Sequence, residues 1–535
     1  MVWALFIATW LLTFLPSSLR AFPTQASVRI RAEGDTVSVS TSLGNATGVP
    51  DTNSVTRFSV RYASADRWKP SVITSSWNLP NNLTDPSATP RACPQIPSSE
   101  NSADTDEDCL SMILYVPTSG TDMPTMMWIH GGSFVVGSAT GPGLDGSTLA
   151  QATNSIVAVI QYRLGAFGFL SPSRESNLAV NDVINALRFL QTVVPSFNGD
   201  ANKITIAGQS SGASMVRALL ATPSASGFFQ SAILQSDPMD YGFLSTRTFN
   251  TLNDFFVSQL QCSASDTDCL AGLSTDDILN ASMTVFGTAN SLDPSAGSFE
   301  PMRPVKDGSL ITSALDLTES FPGQSKQLLI TTVRDEAGPA IYGNFTTAVA
   351  ESEWDDIVNA TLGSTRAAKI VNSSFYAVPA VFAANTSAFD ARIQLEGLGT
   401  DQIWRCPSWS FARSWASAGG KVFVGVFAVG ATYPDNSAIP FCTQGVCHEN
   451  DIEIVFGTVN SPSSAQSSLI SSIQARYKAF LAGDAPDASW QAVSGDDTNA
   501  IILGGTSDGS RAVVGACDPS FWGSAVQYDY QIFNA

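Results

Sequence analysis

A chain of 535 residues with 44% hydrophobic and 14% charged residues can bury a large core, which excludes an intrinsically disordered protein. Its formal charge of −20 repels phosphate backbones and anionic lipid surfaces, which excludes nucleic-acid binding as its role. The first feature along the chain is the continuous apolar run VWALFIATWLLTFL at residues 2–15, followed by Pro16. It is shorter than the roughly 20 residues of a membrane span and fits the core of a signal peptide. Residues 1–21 are therefore expected to be a leader cleaved after Ala21 or Ala26, although no Lys or Arg precedes the run. A retained anchor is the alternative. Two further features agree with export: N-x-S/T sequons at Asn45, Asn82, Asn280, Asn344, Asn359, Asn372 and Asn385, and an even count of 8 cysteines.

Residues 28–60 read as short strands and turns, and a Ser-, Asn- and Pro-rich stretch follows up to Cys93. Cys93 and Cys109 enclose PQIPSSENSADTDED, a polar loop with no aromatic residue. Strands are expected at 110–116, at 125–129 running into His130-Gly131-Gly132-Ser133-Phe134, and at 155–162. The last is apolar throughout its centre, as in a parallel strand buried on both faces. Val183, Ala186, Leu187 and Leu190 fall at helical spacing within 181–193. Ile204 and Ile206 then mark a short strand, Gly208-Gln209-Ser210-Ser211-Gly212 a turn, and Val216, Leu219 and Leu220 one face of a helix. Further strands are expected at 231–235, at 327–332 before Arg334-Asp335-Glu336-Ala337-Gly338, and at 421–429. A late amphipathic helix carries Leu469, Ile473, Tyr477, Phe480 and Leu481. Strands alternating with helices predict an α/β fold with a mostly parallel central sheet, helices on both faces and large helical insertions. No internal repeat or long linker divides the chain, so 22–535 is expected to be a single domain.

Strand, G-x-S-x-G, helix is the context of a nucleophile elbow, in which a sharp turn exposes the serine oxygen. That serine is Ser210, and it needs a base to take its proton. The chain offers only two histidines, His130 and His448. In this kind of fold the order is serine, acid, histidine, which selects His448. The acid should lie between them at the end of a strand. Glu336 meets both conditions, and Asp335, Asp307 and Asp401 are rivals on position alone. Backbone N–H groups of the Gly131-Gly132-Ser133 turn, with that of Ser211, are candidate donors to an oxyanion.

These residues, with Glu107-Asp108-Cys109-Leu110, Tyr162-Arg163-Leu164-Gly165-Ala166-Phe167-Gly168-Phe169, Phe197-Asn198-Gly199-Asp200, Thr400-Asp401, Cys406-Pro407 and Asp451-Ile452, resemble the type-B carboxylesterase/lipase family. This is the cholinesterase-like branch of the α/β-hydrolases, and the likeness runs from about residue 28 to 522. The resemblance implies a Ser210/Glu336/His448 triad, an oxyanion hole of Gly132, Ser133 and Ser211, and no cofactor or metal. It also implies the disulfides Cys93–Cys109, Cys262–Cys269 and Cys406–Cys517. Cys442 and Cys447 remain, and are expected to pair and brace the loop ahead of His448. A Cys/His metal site is the rival there, with too few ligands left to form it.

The departures from the family are Gln209 for a common Glu, Ser211 for a common Ala, and Ser133 for a third glycine. The first removes a carboxylate beside the nucleophile. The short polar Cys93–Cys109 loop differs from both a hydrophobic lipase lid and a choline-stacking loop. The expected protein is a secreted, glycosylated serine carboxylic-ester hydrolase for soluble or modest-sized esters, with no stable membrane association after leader cleavage. A lipase or sterol esterase, and a non-catalytic cholinesterase-like interaction protein, are the alternatives.

Overall fold

The computed structural model describes residues 36–98, 104–316, 321, 325–379, 389–495, 497 and 499–523. The leader, its cleavage sites and Asn385 lie outside these residues. Twelve strands form the main sheet: β1 (Val37–Thr41), β2 (Gly44–Pro50), β3 (Val55–Arg61), β4 (Ser111–Pro117), β5 (Met123–Ile129), β6 (Ile156–Ile160), β7 (Gly199–Gln209), β8 (Ser231–Gln235), β9 (Gln327–Val333), β10 (Lys421–Phe427), β11 (Asn499–Leu503) and β12 (Arg511–Val513). Their spatial order is β1-β2-β3-β4-β6-β5-β7-β8-β9-β10-β11-β12. From β6 to β11 every neighbouring pair is parallel, and the antiparallel pairs lie at the two margins.

The parallel strands are short apolar runs because helices cover both of their faces. Alternation along β5 shows the division. Met127 and Ile129 enter one core with helix α1 (Leu178–Val193) and helix α2 (Ser211–Leu220), whereas Met126 and Trp128 enter the other with helix α6 (Ser464–Leu481). Trp128 meets Phe456 edge-to-face, with ring centroids 5.0 Å apart. Between these helices in sequence come α3 (Thr275–Leu292), α4 (Gly338–Asn344) and α5 (Cys406–Ser417). Helices α3 and α6 both start with a capping box, Ser274 with Asp277 and Ser463 with Gln466, which satisfies two free N–H groups at each start.

Register aligns the strand ends that matter. Ile129 of β5 pairs with Gly208 of β7, Gln209 of β7 with Gln235 of β8, Gln235 with Thr331 of β9, and Val333 of β9 with Phe427 of β10. The loops after β5, β7, β9 and β10 therefore leave the sheet side by side at its carboxyl edge, where open α/β sheets place their ligands.

Four disulfides tie the loops: Cys93–Cys109, Cys262–Cys269, Cys406–Cys517 and Cys442–Cys447. Among the described residues no helix is long and apolar enough to cross a membrane. Trp128 fills the space between β5 and the Phe456 segment, so Trp128→Ala is expected to cost about 3–5 kcal/mol. A urea titration should show an earlier midpoint for Trp128→Ala, and Trp128→Phe should recover most of the loss.

Candidate active site

Ser210 sits between β7 and α2 with φ 56° and ψ −129°, a conformation that side chains rarely adopt. The two flanking glycines allow it. A Cβ on Gly208 would lie 2.4 Å from Gly212 O, and a Cβ on Gly212 would lie 2.2 Å from Ile129 O. Both contacts are shorter than any real Cβ makes, so the turn closes only with bare backbone on each side. The backbone of Ser210 is fixed by its N–H, which donates to Gln235 O at 3.0 Å, and by its carbonyl, which accepts from Ala213 and Ser214.

Glu336 follows β9. Its Oε1 accepts the Val333 N–H at 2.8 Å, and its Oε2 accepts from His448 Nδ1 at 2.6 Å. The carboxyl side chain is fully buried and the imidazole only slightly exposed. A proton on Nδ1 leaves Nε2 with a free lone pair, as a general base requires. In the resting arrangement that lone pair accepts a hydrogen bond from Gln209 Nε2 at 3.3 Å, not from Ser210. Such bonds often tighten onto the nucleophile only when substrate is present. Ser210, Glu336 and His448 line one cavity.

The loop carrying His448 is fastened on three sides. Asp335 and Val446 exchange two bonds, Asp335 N–H to Val446 O at 3.0 Å and Val446 N–H to Asp335 Oδ2 at 2.8 Å. Asn436 Nδ2 donates to His448 O at 2.6 Å, and the Cys442–Cys447 disulfide closes the segment just ahead of the histidine.

The rival acids are occupied elsewhere. Asp335 holds Arg334 and the Val446 N–H; Asp307 caps Ser309, Leu310 and Ile311; Asp401 binds Arg405, Tyr376 and the Ala516 N–H. Asp401 also lies near Cys406 and Cys517, but both sulfurs are in a disulfide and offer no thiolate to a metal. His130 is buried with its Nδ1 on Gly131 O at 2.8 Å and its ring stacked on Tyr162. Burial pushes it down to about 4, which leaves it neutral and structural.

Gly132, Ser133 and Phe134 take φ values of 102°, 50° and 62°, so the turn is left-handed over three residues although only the first is glycine. Ser133 tolerates the angle that its replacement of a glycine demands. Among the described residues the Gly132 and Ser133 N–H groups make no backbone hydrogen bond, and the Ser211 N–H opens α2, where no earlier helical turn can accept it.

Several contributors carry no sequence signal. Residues 96–98 of the Cys93–Cys109 loop form part of the cavity wall, so the loop shapes the site even though it lacks an aromatic residue. Phe286, Phe299 and Trp404 form the apolar side; Trp404 lies in a π-helical turn at Thr400–Arg405. Glu449 follows the base with φ 72° and also reaches the wall. Beneath the triad, Tyr477 OH donates to Gln235 Oε1 at 2.9 Å and Gln235 Nε2 donates to Asp451 Oδ2 at 2.5 Å. Burial, and then the charge of Glu336, push Asp451 up to about 6. Of the sequons, Asn45, Asn82, Asn280, Asn359 and Asn372 are exposed, and Asn344 is half-buried at the cavity wall.

A serine on a strand–turn–helix elbow, with Glu336 and His448 on the loops after later strands of one mostly parallel sheet, defines an α/β-hydrolase. The chain belongs to the carboxylesterase family, whose model matches residues 35–511. It is 31% identical over 348 residues to the cAMP-regulated D2 protein of Dictyostelium discoideum, covering 64% of this chain and 63% of that protein. It is 33% identical over 249 residues to para-nitrobenzyl esterase of Bacillus subtilis (strain 168), covering 43% of this chain and 47% of that one. The matches thus span less than two thirds of the length of these relatives. A solved PNB esterase structure shares the fold, with a TM-score of 0.72 over 89% of this chain and 97% of that one at 23% identity.

Two buried carboxyls nearby set a pH dependence of stability. Loss of hydration, then the charge of Asp237, raises Glu300 from an ordinary 4.5 to about 8, and burial raises Glu396 from 4.5 to about 8. The folded state therefore holds protons that the unfolded chain releases near 4.5. This contribution is full below that pH and is lost progressively as pH rises towards 8. Thermal unfolding should show the melting temperature falling between pH 5 and pH 9, with a shallower fall in Glu300→Gln. Equal slopes in both proteins would contradict this origin.

Proposed function

We propose that this chain is a serine carboxylic-ester hydrolase that works through an acyl-enzyme on Ser210. The observation that carries the reading is the 2.6 Å bond from His448 Nδ1 to Glu336, beside a strained serine facing the same cavity. Ser210 Oγ attacks the ester carbonyl as His448 Nε2 takes its proton. Glu336 holds the imidazole in the tautomer that leaves Nε2 open and stabilises the imidazolium once formed. The carbonyl oxygen becomes an oxyanion held by the N–H groups of Gly132, Ser133 and Ser211. His448 returns the proton to the departing alcohol. Water, activated by the same nitrogen, then releases the carboxylic acid and restores Ser210.

The substrates are soluble, modest-sized neutral esters. The apolar wall of Phe286, Phe299, Trp404, Val135 and Val136 suits an aliphatic or aromatic group, and among the described residues no Lys or Arg lines the cavity. Asp435 and Glu449, which also line the cavity, disfavour substrates bearing a free carboxylate. The protein is secreted and glycosylated, and residues 22–535 act as one catalytic unit. This reading is supported by the apolar run at 2–15, four disulfides and the exposed sequons.

Ser210→Ala is expected to lower p-nitrophenyl acetate hydrolysis by about 10⁴-fold or more. Retained hydrolysis would sink the assignment. Across p-nitrophenyl esters of increasing acyl length, the rate should peak at short to medium chains and rise smoothly through the solubility limit. A preference for long chains that emerges only above that limit would identify an interfacial lipase instead.

A further inference from the structure

We propose that Gln95 is a positioning residue for the oxyanion turn, and that the start of the Cys93–Cys109 loop is a fixed brace for that turn. The inference rests on the catalytic reading of Ser210 given above.

The turn needs a brace because its own sequence opposes its shape. Ser133 and Phe134 both lie in the left-handed region, at φ 50° and 62°. That region costs a non-glycine residue about 1–2 kcal/mol each. Such a conformation persists only where the surroundings over-determine it. Part of the hold comes from the near end. The Phe134 carbonyl accepts the Gly165 N–H at 2.7 Å, the Phe134 N–H donates to Ser211 Oγ at 3.2 Å, and Gly132 O accepts the N–H groups of Val135 and Val136.

Gln95 holds the far end. Its Nε2 donates to Gly137 O at 2.8 Å, and its Oε1 accepts the Gly137 N–H at 2.9 Å. One side-chain amide thus engages both polar groups of one residue, as a neighbouring strand would. The same Nε2 donates to Cys93 O at 3.1 Å, which ties the amide to the disulfide at the base of its own loop. Gln95 is buried, so none of these bonds competes with bulk water.

Gly137 transmits the hold. It has φ 105°, and a Cβ there would lie 2.4 Å from His130 Nδ1 and 2.6 Å from Gly131 O. Its backbone therefore rests directly on the residues that lead into Gly132 and Ser133. Pinning Gly137 closes the segment 131–137 into a ring whose position is set by the sheet on one side and the disulfide loop on the other. An oxyanion donor acts only if it is aimed before the charge develops, so a small loosening of this ring should cost rate more than binding.

The test measures kcat and KM separately for p-nitrophenyl acetate, with affinity for a trifluoromethyl ketone that forms a tetrahedral adduct on the serine. Gln95→Leu removes both bonds to Gly137. Gln95→Glu keeps the shape and the acceptor but loses the donor, and serves if the leucine variant does not fold. The expected result is a fall in kcat of roughly 10- to 100-fold with KM within about twofold, and a parallel loss of ketone affinity. A fall in melting temperature alone, with wild-type kcat and ketone affinity, would overturn the inference. So would a rise in KM at constant kcat. Ser210→Ala in the same assay separates the two levels. If it retains hydrolysis, the catalytic reading fails and this inference with it; if it is dead while the Gln95 variants match wild type, this inference alone fails.

Discussion

The site depends on one close approach of backbone to backbone, that of Gly212 at the start of α2 to the end of β5. No side chain fits between them, since a Cβ on Gly212 would stand 2.2 Å from Ile129 O and 2.7 Å from His130 O. This contact sets the sharpness of the elbow and hence the unusual angles of Ser210. It also places the N–H at the start of α2 beside the turn that follows β5. The proposed nucleophile and oxyanion donors follow strands paired at Ile129 and Gly208, so their relation is fixed by the sheet and not by flexible side chains. Glu336 and His448, the proposed acid and base, follow β9 and β10, one and two strands beyond β8.

Around that backbone frame the polar side chains do different work. Glu336 is spent on orienting His448, and Asp335 on fastening the loop that carries it. Asp451 sits in a third position, bonded to Gln235, whose own carbonyl receives the Ser210 N–H. The pleated alternation of β8 lets one residue serve both: its backbone faces the nucleophile and its side chain faces the acid beneath the base. Gln209 completes the arrangement by donating to His448 Nε2 in the resting state. A carboxylate at that position would instead favour the charged imidazolium, so the neutral amide suits the proposed role of His448 as a base that begins unprotonated.

Much of this was legible in the residues. The strand at Ser231–Gln235 has the bounds its apolar run implies, because a central strand buried on both faces leaves no mixed signal. Helix α1 begins at Leu178, three residues before the periodic pattern, since Leu178, Ala179 and Val180 are buried all round and show no polar face. Strands β11 and β12 were not legible, being short runs at the sheet margin. Strand β7 starts at Gly199, within a stretch that reads as loop, because its polar first half pairs with β5 through an irregular register. The candidate triad stood out because the chain has only two histidines and the elbow has a fixed context. Gln95, Gln235 and Tyr477 were silent for a physical reason. The bonds from Gln95 to Gly137, Gln235 to Asp451 and Tyr477 to Gln235 reach across 42 or more residues, to backbone, a carboxylate and an amide in turn, and no local spacing encodes such contacts.

The central claim is that His448, poised by Glu336, makes Ser210 a nucleophile that carries the acyl group. The most direct measurement is to quench p-nitrophenyl acetate turnover in acid within the first turnovers and map the modified peptide by mass spectrometry. The account predicts one acetyl group on Ser210 in the wild-type protein and none in His448→Gln. Acetyl on another residue, or equal labelling of Ser210 in both proteins, would contradict it.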